Sequence, residues 1–172
     1  DIGFYFVSFQ YVLLGVILIL KLYGGYPGMS VGEIVRTKGN EVLTTLPEAS
    51  VVDVARLMSD RRVGLVVVCS EGGRVLGVIS ERDIVRAVAI NTDNIATLAV
   101  EDLYTRDVQT CSPSNDARDI MRIMHEGRFR HMPVVEHGNL KGLVSVGDIL
   151  EYLKEQSELH SNSEAWEELN FL

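Results

Sequence analysis

The chain has few of the residues that build disulfide frameworks and metal centres. Among its 172 residues there are 2 cysteines and 4 histidines. Cys69 and Cys111 form no C-x-x-C pair, and the histidines show no H-E-x-x-H or H-x-H spacing. Two thiols cannot staple a domain of this size, so a disulfide scaffold is excluded and a reducing, cytoplasmic location is expected. We expect no metal and no catalytic cofactor.

Basic residues are also scarce, with 16 Lys and Arg against 24 Asp and Glu and a net charge of −8. This balance argues against a protein that binds nucleic acid non-specifically through its phosphates, so no nucleic-acid partner is expected. Hydrophobic residues make up 47% of the chain, which is enough to form a buried core. The last residues are acidic and contain no Lys or Arg after Lys154.

One long run without charge extends from Ile2 to Leu20. As a helix it would span roughly 28 Å at about 1.5 Å per residue, which is close to the thickness of a bilayer core. Three interpretations stay open for residues 1–28. The first is a transmembrane helix that anchors the rest of the chain in the cytoplasm. The second is a non-native extension ahead of Met29, and the third is a buried core helix.

The rest of the sequence repeats itself. Val42–Met58 returns as Val108–Met124, and Leu76–Val85 returns as Lys141–Leu150. A repeat of this kind decides the architecture, because each copy should fold into the same unit. The predicted organisation is an apolar segment, two copies and an acidic tail, at residues 1–28, 29–95, 96–156 and 157–172.

Each copy is predicted to fold as β-α-β-β-α. A short extended piece leads to a helix whose start resembles a capping box, with Ser50 and Asp53 in the first copy and Asp116 and Asp119 in the second. Two short apolar runs then form a hairpin, and a second helix follows. The predicted fold is α+β, with two repeats packed as a pseudo-two-fold module and an N-terminal apolar helix.

The end of each hairpin carries a shared pattern, Gly77-Val-Ile-Ser80-Glu-Arg-Asp83 in the first copy and Gly142-Leu-Val-Ser145-Val-Gly-Asp148 in the second. Together with Arg130-His-Met-Pro-Val-Val135, it resembles the tandem cystathionine-beta-synthase (CBS) domain pair. The resemblance implies two motifs that associate through their sheets. It also implies binding of adenosine-containing ligands such as AMP, ADP, ATP, NAD or S-adenosylmethionine.

The resemblance also implies a set of binding residues. A serine at a helix N-terminus favours a phosphate, and an aspartate one turn later accepts hydrogen bonds from a ribose. These roles fall to Ser80 with Asp83 and to Ser145 with Asp148. The base is expected between apolar strand residues and main-chain groups, at Thr44, Val66, Val67 and Val68 in the first copy and at Thr110, Met132, Pro133, Val134 and Val135 in the second.

The residues leave other interpretations open, since both serines serve equally well as helix caps and both aspartates as first-turn acids. The cations Arg82, Arg130 and His131 are candidates for phosphate contacts. Matching the copies places Arg130 and His131 against Val63 and Gly64, and Pro133 against Val66. The second copy is therefore expected to bind phosphate more strongly.

The function expected is that of a non-catalytic regulatory sensor, in which an adenine nucleotide changes packing or dimerisation. No nucleophile–base pair or phosphate-binding glycine loop indicates an enzyme. A homodimer and an unknown downstream protein are the expected partners. The alternatives are a structural dimerisation module with vestigial clefts and the cytosolic regulatory end of a membrane protein.

Overall fold

The computed structural model describes residues 29–39, 41–90 and 94–156. The predicted apolar segment and acidic tail, at 1–28 and 157–172, lie outside the described residues. The chain divides into two compact units, which we describe separately. The helical unit comprises residues 29–38, Ser114–His131 and 144–156, and the sheet unit comprises Gly39–Pro113 and Met132–Leu143. Within the described ranges, no helix is both long and apolar enough to cross a membrane.

From Gly39 onwards the first copy lies in the sheet unit, where it has the predicted order β-α-β-β-α. Its elements are β1 (Thr44–Thr45), α2 (Val51–Arg61), β2 (Leu65–Cys69), β3 (Val75–Ser80) and α3 (Glu81–Ile90). β2 is the central strand, because it pairs in parallel with β1 and antiparallel with β3. The predicted α+β class is therefore confirmed.

α2 shows why the local pattern folds as it does. Ser50 ends the preceding extended segment, and its Oγ accepts a hydrogen bond from Val52 N at 3.2 Å. The predicted capping box with Asp53 is wrong, because the Asp53 carboxylate pairs with Arg56 at 3.2 Å instead. The buried face of the helix packs against the sheet in a core formed by Val54, Met58, Val66, Val68, Ile79 and Val100.

The second copy repeats these elements as α4 (Ala117–Gly127), β4 (His131–Glu136), β5 (Asn139–Ser145) and α5, which spans residues 146–156. β4 and β5 pair with each other. Asp116 caps α4 by accepting from Arg118 N at 2.8 Å, while Asp119 pairs with Arg122 at 3.5 Å and not with the cap. The predicted first strand is reduced to a parallel bridge between Cys111 and Val134.

The first segment of each copy packs with elements of the other copy. α1 (Val31–Lys38) lies in the helical unit, where Ala117 N, at the start of α4, donates to Met29 O at 2.8 Å. The short 3₁₀ helix Val100–Asp102, near the start of the second copy, lies in the sheet unit with Val100 in the core of the first copy. The repeat pattern alone does not indicate this arrangement.

Candidate functional site

The first Ser–Asp box consists of Ser80, the last residue of β3, and Asp83 in the first turn of α3. Ser80 N and Ser80 Oγ both donate to Asp83 Oδ2, at 2.9 and 2.6 Å, and Asp83 N donates back to Ser80 Oγ at 3.4 Å. This reciprocal pattern satisfies donors that a helix start leaves without intrahelical partners. It also fixes the Asp83 carboxylate at the point where strand becomes helix.

The second Ser–Asp box has the same construction at the start of α5. Ser145 N and Ser145 Oγ donate to Asp148 Oδ2 at 2.7 and 2.8 Å, and Asp148 N donates to Ser145 Oγ at 3.2 Å. Both boxes use only Oδ2 of the carboxylate. Among the described residues, Oδ1 of Asp83 and Oδ1 of Asp148 accept no hydrogen bond. Each is thus available to accept from an outside hydroxyl, such as those of a sugar diol.

The helix starts offer fewer groups to an anion than the sequence suggests. The serine hydroxyls are engaged within the boxes. The first helical N–H groups are also engaged, since Glu81 N donates to Gly64 O at 3.1 Å and Val146 N donates to Arg130 O at 3.0 Å. The second N–H group of each helix belongs to Arg82 in α3 and to Gly147 in α5. Neither has a hydrogen-bond partner within the described part of the chain.

Both predicted threonines present backbone groups at a sheet edge. Thr44 pairs with Val67 on the edge strand β1, and the hydrogen bond from Val67 N goes to Leu43 O at 3.1 Å. In a parallel ladder this leaves the N–H and C=O of Thr44 pointing away from β2. In the second copy Cys111 bonds to β4 through both its N–H and its C=O, so the backbone of Thr110 points away from β4.

The predicted apolar residues have a different environment. Val66, Val67 and Val68 are fully buried, and β2 is bonded to a strand on each edge. Met132 and Val134 are likewise buried, and Pro133 O accepts from Cys111 N. Their side chains offer no exposed surface to a base, whereas Thr44 and Thr110 are exposed.

Lys38 is a residue of the second site that the sequence analysis missed. Its Nζ lies 2.6 Å from Asp148 Oδ2, the carboxylate oxygen that also holds Ser145. Lys38 is the last residue of α1, and 110 positions separate it from Asp148. No local pattern relates two residues so far apart, and only the packing of α1 within the helical unit brings them together.

The caps of α2 and α4 correct the alignment of the two copies by one residue. Arg62 and Arg128 each end their helix in the left-handed conformation, with φ of 54° and 55°. Counting onward from these caps, Arg130 matches Gly64 and not Val63. The hydrogen bonds from Glu81 N and Val146 N to these two residues agree with this register. By the same count His131 matches Leu65, and Pro133 matches Val67.

His131 is half-buried at the start of β4, close to the second box. Burial is the main cause that lowers its pKa, and the positive charges of Arg130 and Lys38 lower it further. The Asp148 carboxylate acts in the opposite direction. The imidazole is therefore held towards its neutral form. Arg130 itself is exposed and forms no ion pair within the described ranges.

The glycine of the first signature has a packing role. A Cβ at Gly77 would collide with the backbone carbonyl of Thr105 and would come within 2.6 Å of the Tyr104 ring. Thr105 pairs with Val78 as an added antiparallel bridge, which explains the close approach. Gly77 therefore admits the Tyr104–Thr105 segment, near the start of the second copy, to the edge of β3.

The two cysteines are buried thiols, and the described residues hold no candidate metal cluster. Cys69 and Cys111 are buried, and burial raises the pKa of both, that of Cys111 to about 12. Such thiols are poor nucleophiles at neutral pH. In the described ranges, no group of His, Cys, Asp and Glu residues is arranged to hold a metal ion.

Comparison with known proteins finds several relatives of similar length and some longer ones. A 17.7 kDa protein of Acidianus ambivalens is 34% identical over 119 residues, covering 66% of this chain and 71% of that protein. The mitochondrial protein CBSX3 of Arabidopsis thaliana is 25% identical over 154 residues, covering 85% and 72%. A 33.4 kDa protein of Thermofilum pendens is 33% identical over 108 residues, or 62% of this chain, but only 35% of that protein is covered.

Solved structures share the fold. The CBS-domain protein ATU1752 of Agrobacterium tumefaciens has a TM-score of 0.67 and 35% identity, covering 72% of this chain and 98% of that one. The CBS domain pair of protein MJ0100, crystallised with 5′-methylthioadenosine and S-adenosylmethionine, has a TM-score of 0.65 and 21% identity, covering 76% and 99%. The family model for the CBS domain matches twice, at residues 31–90 and 100–155. The chain therefore belongs to the CBS domain family and carries two copies of the domain.

Proposed function

We propose that the chain is a non-catalytic regulatory module that binds adenine nucleotides, such as AMP, ADP, ATP or NAD, at its two Ser–Asp boxes. The observation that carries this proposal is the duplicated carboxylate. Asp83 and Asp148 are each held by a serine through Oδ2, and each keeps Oδ1 open for a ribose hydroxyl. A pure helix cap needs only one carboxylate oxygen.

Thr44 supplies the second half of the recognition in the first site. Its N–H and C=O are directed to a sheet edge and can read the donor and acceptor of an adenine edge. Guanine presents a different set of donors and acceptors, so adenine should be preferred. A protein of the same fold has been crystallised with two adenosine-containing ligands, which supports this class of ligand.

Ligand binding would act on folding and packing. A nucleotide that contacts a strand edge and a helix start ties together elements that are distant in sequence. Because it binds only the folded protein, it stabilises that state by mass action. The signal then passes to a downstream protein, or to a second copy, through the altered packing of these elements.

A structural dimerisation module is the second candidate, and one observation favours it. α3 exposes Val85 and Val88 on one face, with exposed fractions of 66% and 45%, and nothing in the described part of the chain covers them. Ile90, at the end of the helix, is 79% exposed. An apolar helix face of this kind suits a second copy of the chain. The two candidates are compatible if nucleotide binding changes the dimer.

The test is a thermal shift series on the full chain with AMP, ATP, NAD and GTP. We expect the adenine ligands to raise the melting temperature and GTP to raise it less. An equal response to ATP and GTP would show binding of the phosphates alone. If no nucleotide has an effect while sedimentation shows a stable dimer, the structural candidate is the correct one.

A further inference from the structure

The first site combines its Ser–Asp box with an acidic side chain. Glu81 N donates to Gly64 O at 3.1 Å, and an added Cβ on Gly64 would lie 3.2 Å from Glu81 Oε2. The Glu81 carboxylate therefore lies over the Cα of Gly64, in space that a side chain at this position would take. Glu81 directly follows Ser80 and precedes Asp83 by two positions, so its negative charge belongs to the same helix start as the first box.

At the matching positions the second site lacks the negative charge and has a positive charge instead of no side chain. Val146 N donates to Arg130 O at 3.0 Å, which places Val146 at the position of Glu81 and Arg130 at that of Gly64. A guanidinium thus takes the place of a missing side chain, and an apolar group takes the place of a carboxylate. Lys38 adds a further cation, 2.6 Å from Asp148 Oδ2.

These exchanges give the two sites opposite local charge. The first site has two carboxylates, Glu81 and Asp83, and one cation, Arg82. The second site has one carboxylate, Asp148, and two cations, Lys38 and Arg130. Physiological salt leaves charges effective over about 8–10 Å, so charges on residues next to a box can act on a group attached to a ribose bound there. The charge of that group therefore matters to binding.

We infer that Glu81 makes the first site select adenosyl ligands whose 5′ group is neutral or cationic, while the second site selects 5′-phosphorylated adenosine. The inference rests on the proposed function and adds the charge class of each ligand. S-adenosylmethionine, with its sulfonium, represents the cationic class, adenosine the neutral class and AMP the anionic class.

The test is calorimetry on the full chain carrying Asp148→Ala, which leaves only the first site. There we expect adenosine to bind at least as tightly as AMP. Adding Glu81→Gln should strengthen AMP about two- to fivefold, weaken S-adenosylmethionine by a similar factor and leave adenosine unchanged. The control is Glu71→Gln, which removes an exposed charge in the β2–β3 turn and should change none of the three. If Asp148→Ala does not fold, Asp148→Asn takes its place.

The possible results separate this inference from the proposed function. Opposite changes for the anionic and cationic ligands that vanish near ~1 M salt support it, because screening then reaches about 3 Å. Parallel changes for all three ligands, or no change with Glu81→Gln, overturn this inference and leave nucleotide binding intact. Failure of the wild-type chain to bind any adenosine ligand overturns both.

Discussion

The two Ser–Asp boxes have the same internal geometry and different surroundings. In each box a strand-ending serine donates twice to one carboxylate oxygen, whether the pair is Ser80 with Asp83 or Ser145 with Asp148. Around the second box lie Lys38 and His131, which have no counterparts of the same type around the first. A box is built from residues three positions apart, so sequence repetition preserves it. Its surroundings come from distant segments, so they diverge.

The largest expected effect is a loss of stability on substitution of Gly77, which lies in the strand that ends at the first box. Gly77→Ala should lower stability by about 3 kcal/mol, because the new Cβ meets the backbone of Thr105, which cannot move as a flexible side chain can. For a chain of this size this corresponds to roughly 6–12 °C in melting temperature. The control Gly72→Ala adds a Cβ whose nearest neighbour is 3.9 Å away, and it should change little. A small effect at Gly77 would show that the Tyr104–Thr105 segment moves away easily.

The next largest effect is expected on ligand binding at the second site, where Arg130 has no charged counterpart in the first site. Arg130→Ala should weaken AMP binding about tenfold, because a charge-assisted hydrogen bond contributes roughly 1.5–3 kcal/mol. Adenosine has no phosphate and should bind unchanged in calorimetry. Arg122→Ala, which removes another exposed arginine of the helical unit, serves as control. Equal weakening of both ligands would show that Arg130 supports the fold instead.

His131 gives the smallest expected effect, on the pH dependence of stability. Its pKa is lowered in the folded chain, so the unfolded chain takes up a proton first as the pH falls through the ordinary value of about 6.5. The lowered pKa of His131 therefore reduces the free energy of unfolding below that pH and does not change it above that pH. His131→Leu, which installs the counterpart Leu65, should lose less stability between about pH 7.5 and 5.5. An identical pH profile in thermal melts of both proteins would contradict this.

Much of the fold could be predicted because its signals are local. The helix caps at Ser50 and Asp116, the two hairpins and the β-α-β-β-α order all follow from residues close together in sequence. The predicted capping boxes at Asp53 and Asp119 were wrong for an equally local reason. Each of these carboxylates has an arginine three residues later on the exposed helix face, and it pairs with that arginine.

The surroundings of the sites could not be predicted in this way. Lys38 contacts Asp148 only because α1 packs in the helical unit. The spacing of residues in the sequence does not predict that contact. The one-residue error at Arg130 is corrected only by the left-handed conformation of Arg62 and Arg128, which the sequence does not show. Glu81 directly follows Ser80 in the sequence. Its hydrogen bond to Gly64, however, depends on the pairing of β2 with β3, which the sequence does not show.

The central claim is that adenine ligands bind at the two carboxylates, and the thermal shift of a double variant tests it most directly. Asp83→Ala with Asp148→Ala should melt at a lower temperature, since each loses a cap contact worth about 1 kcal/mol, and AMP should no longer raise that temperature. The matched control is Asp53→Ala with Asp119→Ala, which removes exposed first-turn acids from α2 and α4 and should keep the full response to AMP. An AMP shift in the Asp83 and Asp148 double variant as large as in the wild type would contradict the assignment.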